Sequence, residues 1–303
     1  MKQSPNSGRY LVISPCRNEA EFMRQTLDSV VAQSVLPQKW IIVDDGSTDA
    51  TPEILKEYAA RHAWIEVVTR KDRGERSVGP GVIEAFYAGY QVAELSGITY
   101  LCKLDLDLVL PAKYFEKLIE RMHNDPLLAT ISGKAYLMRD GQMINEGHGD
   151  ENSIGASKFY RVDRFQEMGG FVSQVMWDGI DGHICRMRGW RAESVDDPEL
   201  RFVHLRPMGS SQKNILTGRI RHGRGQYFMG SGLLWMLATA AYRIPERPMV
   251  IGGLFILWGW IESWLKRRPR FEKEGFRTFL RSYQRRALIV GKKRAISEIY
   301  RHK

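Results

Sequence analysis

Between Tyr10 and Asp107 the chain alternates short β-rich runs with segments of helical spacing, and a polar cluster closes several of the runs. Tyr10–Ser14 is apolar and is followed by Pro15 and polar residues. Residues 21–33 put Phe22, Leu27, Val30 and Val31 on one side of a helix. A second run, 39–43, ends in the turn cluster Asp44-Asp45-Gly46-Ser47. Residues 51–60 read as a helix with Thr51 as its cap and Pro52 in its first turn. A strand at 64–69, a helix at 81–95 and a strand at 98–104 follow, the last running into Asp105-Leu106-Asp107. Strands alternating with helices imply a parallel α/β sheet, in which ligands sit beyond the carboxyl ends of the strands. The clusters after Val43 and Leu104 fall there.

The 303 residues, 43% hydrophobic, suffice for one sizeable core with an appended segment. The formal net charge of +10 suits nucleic acid, anionic lipid or phosphate-bearing substrates without choosing among them. Cys16, Cys102 and Cys185 are an odd, widely spaced set, which reads as reduced buried thiols. The polar start and the brevity of the first apolar run do not make a signal peptide, so the catalytic part is expected in the cytoplasm.

Three clusters carry chemistry. In Ser14-Pro15-Cys16-Arg17-Asn18-Glu19, backbone donors at a helix start together with Arg17 could hold a base or a phosphate, and a capped helix start explains the cluster about as well. Asp44-Asp45 could accept hydrogen bonds from a base N–H and a ribose hydroxyl, or form a polar turn and cap. In Asp105-Leu106-Asp107 alternate residues of an extended segment share a side, so two hard carboxylates could bind Mg2+ or Mn2+ against a diphosphate. The alternative there is two solvated turn aspartates.

Taken in order, these clusters resemble the family 2 glycosyltransferases of GT-A fold. The resemblance runs through residues 10–51 and Lys103–Asp107, and covers roughly residues 8–206. It implies a Rossmann-like mixed sheet flanked by helices, a catalytic domain at 1–210, and inversion at the sugar's anomeric carbon. It also implies roles. Pro15, Arg17 and Glu19 would line the nucleotide pocket, Asp44 would touch the base with Asp45 assisting, Asp105 would lie near the sugar or ribose, and Asp107 would bind the metal. The loop from Arg73 to Gly81 would touch the diphosphate, although it departs from the family's usual Asn-x-Gly form. An acceptor-side carboxylate would come from Trp177-Asp178-Gly179-Ile180-Asp181, where the family's Glu-Asp pair is not preserved. Asp178 and Asp181 both stay open, with Asp181 preferred because it would open the arginine-bearing helix. His204 could complete the metal site or be a packed strand histidine.

After Arg206 the composition shifts. Two apolar stretches, 229–242 and 249–265, flank a proline-containing turn at 243–248 and lead into a basic tail. Each stretch is shorter than the ~20 residues of a spanning helix, but both hold tryptophans and Lys266-Arg267-Arg268 follows at once. The segment 211–303 therefore reads first as a monotopic or re-entrant hairpin on the cytoplasmic face of the inner (plasma) membrane, then as two short spans, then as a soluble packing surface. The first reading makes the acceptor lipid-linked, such as an undecaprenyl-diphosphate sugar, in surface polysaccharide assembly. His222, within the basic glycine-rich stretch 219–226, could meet a phosphate or belong to a solvated basic face. Among donors a UDP-sugar is favoured. The competing readings are a nucleotidyltransferase, a non-catalytic sugar-nucleotide scaffold, and nucleic-acid binding, for which no recognition motif is present.

Overall fold

A computed structural model describes residues 8–72, 74, 79–207, 215–244 and 249–301. The chain divides into two compact units. The first holds the described residues up to Ser173 together with the return segment from Arg191, and the second holds Gln174–Trp190 with the described residues from 215 onward.

The first unit is built on β1 (Tyr10–Cys16), α1 (Met23–Val31), β2 (Lys39–Asp44), α2 (Thr51–Arg61), β3 (Ile65–Thr69), α3 (Pro80–Val92) and β4 (Tyr100–Leu104). The strands β3-β2-β1-β4 are parallel neighbours, with Ile13 opposite both Ile41 and Lys103. β1 and β4 are wholly buried, and β2 nearly so, as expected for strands covered on both faces. Past β4 the unit continues with β5 (Leu108–Val109), α4 (Tyr114–Asn124), β6 (Leu128–Arg139), β7 (Gln142–Asn145), β8 (Ser157–Arg161), α5 (Val162–Met168), β9 (Arg191–Val195) and β10 (Arg201–His204). Antiparallel β8 joins β4 to β6, and the sheet continues through β10 to β5, which makes it mixed.

β6 mixes polar residues and a glycine with its apolar ones. It is a strand of 12 residues, its first nine buried. It escapes an apolar signature because its polar groups are satisfied inside. The Thr130 hydroxyl shares a hydrogen bond with Ser153 at 2.8 Å, and Lys134 donates to Ser194 Oγ at 2.9 Å and to the His148 carbonyl at 2.8 Å. Its first half pairs with β9 and its second with β10. Gly133 stands at the changeover, where a Cβ would lie 1.7 Å from the Leu200 carbonyl oxygen.

Thr51 is not the cap of α2. It is the first helical residue, and its hydroxyl accepts the Glu19 N–H at 2.9 Å. The Asp49 carboxylate takes the Thr51 N–H instead, at 2.9 Å.

The second unit is helical: α6 (Trp177–Met187), α7 (Ile215–Met229), α8 (Leu233–Tyr242), α9 (Ile251–Leu265), α10 (Phe276–Val290) and α11 (Lys292–Arg301). The stretch 219–226 lies within α7, and its glycines have a packing role. A Cβ on Gly223 would sit 1.9 Å from the Ile256 carbonyl oxygen, and one on Gly259 2.2 Å from that of Ile220, so α7 and α9 cross with backbones nearly touching. Of the turn expected at 243–248, residues 245–248 lie outside the described residues. Among the described residues no helix is long and apolar enough to cross a membrane. The 10 residues of α8 and 15 of α9 rise about 15 and 22 Å against a hydrocarbon core of about 30 Å, so the reading as two short spans is set aside.

Candidate functional site

Two loops at the carboxyl end of the parallel strands are laced together. The Asp45 N–H donates to the Cys16 carbonyl at 2.9 Å, and the Asn18 N–H to Ser47 Oγ at 2.9 Å. In return the Thr48 N–H reaches Asn18 Oδ1 at 2.8 Å, and Ala20 N–H reaches Asp49 at 3.1 Å. Asn18 has φ of 53°, a backbone state that asparagine tolerates better than most residues. Gly46 has φ of 73°, and a Cβ there would meet the Asp72 Cα at 2.4 Å, so this turn needs glycine on both counts.

Pro15, Arg17, Glu19, Asp44 and Asp45 are brought together by this lacing. Pro15 is the buried penultimate residue of β1, opposite Val43, beyond the last pairing of β1 with β4 at Ile13–Lys103. A residue with no N–H is tolerated there because no partner strand on that side asks for one. Asp44 is buried, and one of its oxygens accepts the Ser47 N–H at 2.9 Å. Asp45 is buried and paired with Arg70 at 2.7 Å. Arg17 donates to the Asp45 carbonyl and pairs with Asp72 at 2.5 Å. That guanidinium, with the Gly74 N–H, holds the Asp72 carboxyl below its usual value. Neither aspartate of the Asp44-Asp45 pair is a loose turn residue. In the loop expected to meet a diphosphate, Arg73 and residues 75–78 lie outside the described residues.

Asp105 and Asp107 follow β4 and have different surroundings. Asp105 keeps 33% of its side-chain exposure and is paired with Lys103, which is itself buried and donates to the Gly155 carbonyl at 2.9 Å. Loss of water and the charge of Asp107 push the Asp105 carboxyl upward against the pull of Lys103. Asp107 is buried. Burial alone would raise its carboxyl, but His204 and Arg206 overturn that and hold it below the usual range. Its Oδ2 accepts from Arg206 Nε at 2.6 Å and lies 3.4 Å from His204 Nε2. Its Oδ1 is buried and has no hydrogen-bond partner.

The short β5–β10 pairing builds this arrangement. His204 faces Leu108 across it, and the Leu205 N–H donates to the Asp107 carbonyl at 2.8 Å. Residues almost a hundred positions apart therefore meet. Arg206 also pairs with Glu19 at 2.7 Å, tying the first cluster to the third. His204 is 6% exposed, with Nδ1 2.9 Å from Glu146. Burial works against its charge, yet Asp107 and Glu146 raise its pKa to about 9. Sequence reasoning missed Glu146, Arg206 and Lys103 as parts of the site. Lys103 did leave a signal, a cation interrupting an otherwise apolar strand.

The donor set fits a divalent cation. Asp107 Oδ1 is a buried oxygen with no proton donor, and His204 can present Nε2 while Nδ1–H is held by a carboxylate, the usual support for a metal-ligating histidine. Among the described residues no group of three or more His, Cys, Asp or Glu could hold a metal. Any cation here would therefore take its other ligands from water or a bound phosphate, as Mg2+ commonly does.

Asp178 and Asp181 lie on α6, in the second unit. The helix opens at Trp177, so Asp178 occupies its first turn and Asp181 does not open it. Neither side chain caps it, since Met176 is the cap residue and no side-chain cap bond is made. Asp181 is 1% exposed and its Oδ1 accepts the Gly182 N–H at 2.5 Å, whereas Asp178 is half-buried.

Residues 11–173 match the model of the family described as glycosyl transferase family 2. The chain is 25% identical over 161 residues to a poly-beta-1,6-N-acetyl-D-glucosamine synthase of Staphylococcus aureus, a match covering 53% of this chain and 36% of that protein. The chain thus spans about a third of the length of that curated relative. Among solved structures it resembles S. aureus TarS, with TM-score 0.56 and 14% identity over 97% of this chain and 54% of that one. It also resembles the mannosyltransferase PcManGT of Pyrobaculum calidifontis, solved with GDP-Man and Mn2+, with TM-score 0.51 and 16% identity over 98% and 88%. GalNAc-T7, solved with UDP, GalNAc and Mn2+, gives TM-score 0.62 and 14% identity over 98% and 57%. At these identities the structural likeness establishes the fold, the expected mixed α/β sheet of the GT-A type.

Proposed function

The chain belongs to glycosyl transferase family 2, and from that premise we propose that it moves a hexose from a UDP-sugar to a hydroxyl of a lipid-linked glycan, with inversion, in surface polysaccharide synthesis. The observation that carries the donor half is Asp107, whose buried Oδ1 has no hydrogen-bond partner while His204 and Arg206 hold Oδ2. A carboxylate so held is ready for a cation that comes with a diphosphate. Asp107 and His204 would hold Mg2+ or Mn2+, which when bound would offset the negative charge growing on the departing diphosphate.

The protein's own residues have defined tasks in this reading. The laced loops fix Asp44 and Asp45 so that base and ribose meet oriented acceptors, and no ordering cost falls on binding. Arg17 lends positive charge beside the nucleotide. Lys103 keeps Asp105 in place as an acceptor for a sugar or ribose hydroxyl. For the base that takes the acceptor's proton we favour Asp178 over Asp181, because a base has to be reached by the hydroxyl it deprotonates and Asp181 is 1% exposed.

The acceptor half rests on the surface of the second unit. Ile251, Leu254, Trp258 and Leu265 are exposed and recur at helical spacing along α9, and Leu233, Leu234 and Leu237 are exposed on α8. Glu262, which interrupts the apolar stretch, is covered by Arg224 at 2.8 Å and Lys266 at 2.7 Å, and these cations hold its carboxyl down at about 2. Such a face with a basic margin suits the cytoplasmic leaflet of the plasma membrane, where the chain would lie without spanning. The S. aureus relative named as a polysaccharide synthase supports a glycan product.

The test is binding and hydrolysis across a panel of nucleotide sugars, with Mn2+, Mg2+ or chelator, comparing wild type with Asp107→Ala. One donor should bind only with metal and lose binding in the variant. A folded, metal-supplied protein that binds no donor would sink the reading and favour a scaffold. Asp178→Asn should keep donor binding while transfer falls by about a hundredfold or more. If Asp181→Asn alone gives that loss, the base is Asp181.

A further inference from the structure

The second unit contains a groove of about 770 Å³ that no step of the proposed chemistry uses. One wall is apolar, made by Leu234, Trp260, Trp264 and Leu288. The other carries Arg270, Arg281 and Arg285. Gln284, between them, is satisfied from within: it donates to Ser231 Oγ at 2.9 Å and accepts the Gly232 N–H at 3.0 Å.

Among the described residues these arginines lack counterions. Elsewhere in this unit Arg224 and Lys266 pair with Glu262, and Arg286 pairs with Glu298 at 2.6 Å. Among the described residues Arg270, Arg281 and Arg285 face no carboxylate within ion-pair distance. Arg281 reaches only the Gly230 carbonyl, at 3.3 Å, and Arg285 only the Arg281 carbonyl, at 3.4 Å. Arg270 lies over the Tyr227 ring at 4.4 Å, and its Nε is buried with no acceptor. The Arg281 guanidinium is pushed below its ordinary value by partial burial and by the charges of Arg270, Arg277 and Arg285. Cations gathered at such a cost, with a buried N–H left over, are matched to an anion from outside.

We propose that this groove binds one lipid diphosphate, with its head on Arg270, Arg281 and Arg285 and the start of its chain along Trp260, Trp264 and Leu288. This rests on reading the acceptor as lipid-borne, and it names the part of that acceptor which the second unit grips. Three unpaired arginines exceed what a singly charged phosphodiester headgroup would neutralise, and they suit the two to three charges of a diphosphate. The apolar wall opens on the exposed side chains of α8 and α9, so a chain leaving the groove would continue along a surface of its own kind.

The test follows tryptophan fluorescence of the full chain as short-chain farnesyl diphosphate is added, since Trp235, Trp260 and Trp264 line the groove. Saturable binding is expected, weakened at least about tenfold in the double variant Arg281→Gln, Arg285→Gln and also weakened in Trp264→Ala. Inorganic pyrophosphate should compete only at far higher concentration, and farnesol should not saturate. Pyrophosphate binding as tightly as farnesyl diphosphate would overturn the lipid assignment. So would binding that survives the double arginine change, or capture only by phosphatidylglycerol vesicles with no saturable farnesyl diphosphate site. All three substituted side chains are exposed, and a wild-type unfolding profile confirms that the variants fold. UDP-sugar binding is measured in parallel on the same variants. Its failure in wild type, with farnesyl diphosphate binding intact, sinks the donor reading and leaves the groove standing.

Discussion

Replacing Arg206 by glutamine removes a side chain that holds two buried carboxylates at once. Arg206 donates to Glu19 at 2.7 Å and to Asp107 at 2.6 Å, and each carboxylate side chain is 5% exposed. A charge-assisted hydrogen bond contributes about 1.5–3 kcal/mol, and breaking a buried ion pair from one side costs about 3–5 kcal/mol. The guanidinium is 21% exposed, Asp107 keeps His204, and a glutamine amide can restore one bond, so the lower end applies, about 3 kcal/mol. For a unit of this size that is a fall in Tm of roughly 6–12 °C at pH 7. The loss has a pH signature. The Asp107 carboxyl is held below its unfolded value, so its contribution is present above about pH 4 and fades as pH falls through the folded value. The gap between variant and wild type should therefore narrow under acid. Differential scanning calorimetry at several pH values reads both effects. A variant melting within about 1 °C of wild type at neutral pH, or a gap that widens under acid, would refute this account of the site.

Gly46→Ala should abolish nucleotide-sugar binding while leaving the helical unit's melting unchanged, because a Cβ would meet the Asp72 backbone at 2.4 Å in a φ of 73°; isothermal titration checks it. Gly259→Ala should destabilise the second unit by about 2–3 kcal/mol, since its Cβ would press on the Ile220 carbonyl at 2.2 Å, and urea unfolding monitored by tryptophan fluorescence measures the loss. His183 packs against Phe276 and Tyr283, and burial with the charges of Arg186 and Lys292 lowers its pKa. The unfolded chain then takes up a proton below about pH 6.5 that the folded chain refuses, so the second unit should lose stability from there downward. His183→Phe should flatten that dependence in unfolding experiments between about pH 5 and 8.

The parallel half of the sheet was legible because its strands are continuous apolar runs and its loops are polar. The expected elements at 21–33, 39–43, 51–60, 64–69, 81–95 and 98–104 all correspond to elements of the first unit. The antiparallel half was not legible, and β6 shows why. Thr130, Ser132 and Lys134 look like surface residues until their partners Ser153, Ile154 and Ser194 are in place, and those lie more than twenty positions away or on other strands. The first, second and third clusters were readable as local motifs. Their connection through Arg206 was not, because Glu19 and Arg206 are 187 positions apart and no periodicity reaches that far. The start of α6 was similarly obscured. The helix starts at Trp177 on a left-handed Met176, a start that no capping residue announces, and this moved the expected opening from Asp178's turn to Asp181.

The arrangement around Asp107 also explains how several carboxylates can gather in one folded site. Glu19, Asp107 and Glu146 bring three buried carboxylates together beside the partly exposed Asp105, where their mutual repulsion would be severe. Lys103 answers them from β4, and His204 and Arg206 from the end of β10, and each cation is shared or pinned by a second contact: the Gly155 carbonyl, Glu146 and Glu19 respectively. The cluster is thus close to neutral before any ligand arrives, with a small excess of negative charge when His204 is charged. A divalent cation bound through His204 would displace the ring's proton and bring the cluster to neutrality, whereas a diphosphate alone would leave a larger excess of negative charge. The two together leave less negative charge than the diphosphate alone. The built-in counterions therefore favour joint binding, and affinity for the donor should rise with metal and affinity for metal should rise with the donor by the same factor. Calorimetric titration of Mn2+ with and without UDP, and of UDP with and without Mn2+, closes that cycle. Equal and independent affinities on both legs would show that the counterions serve stability alone.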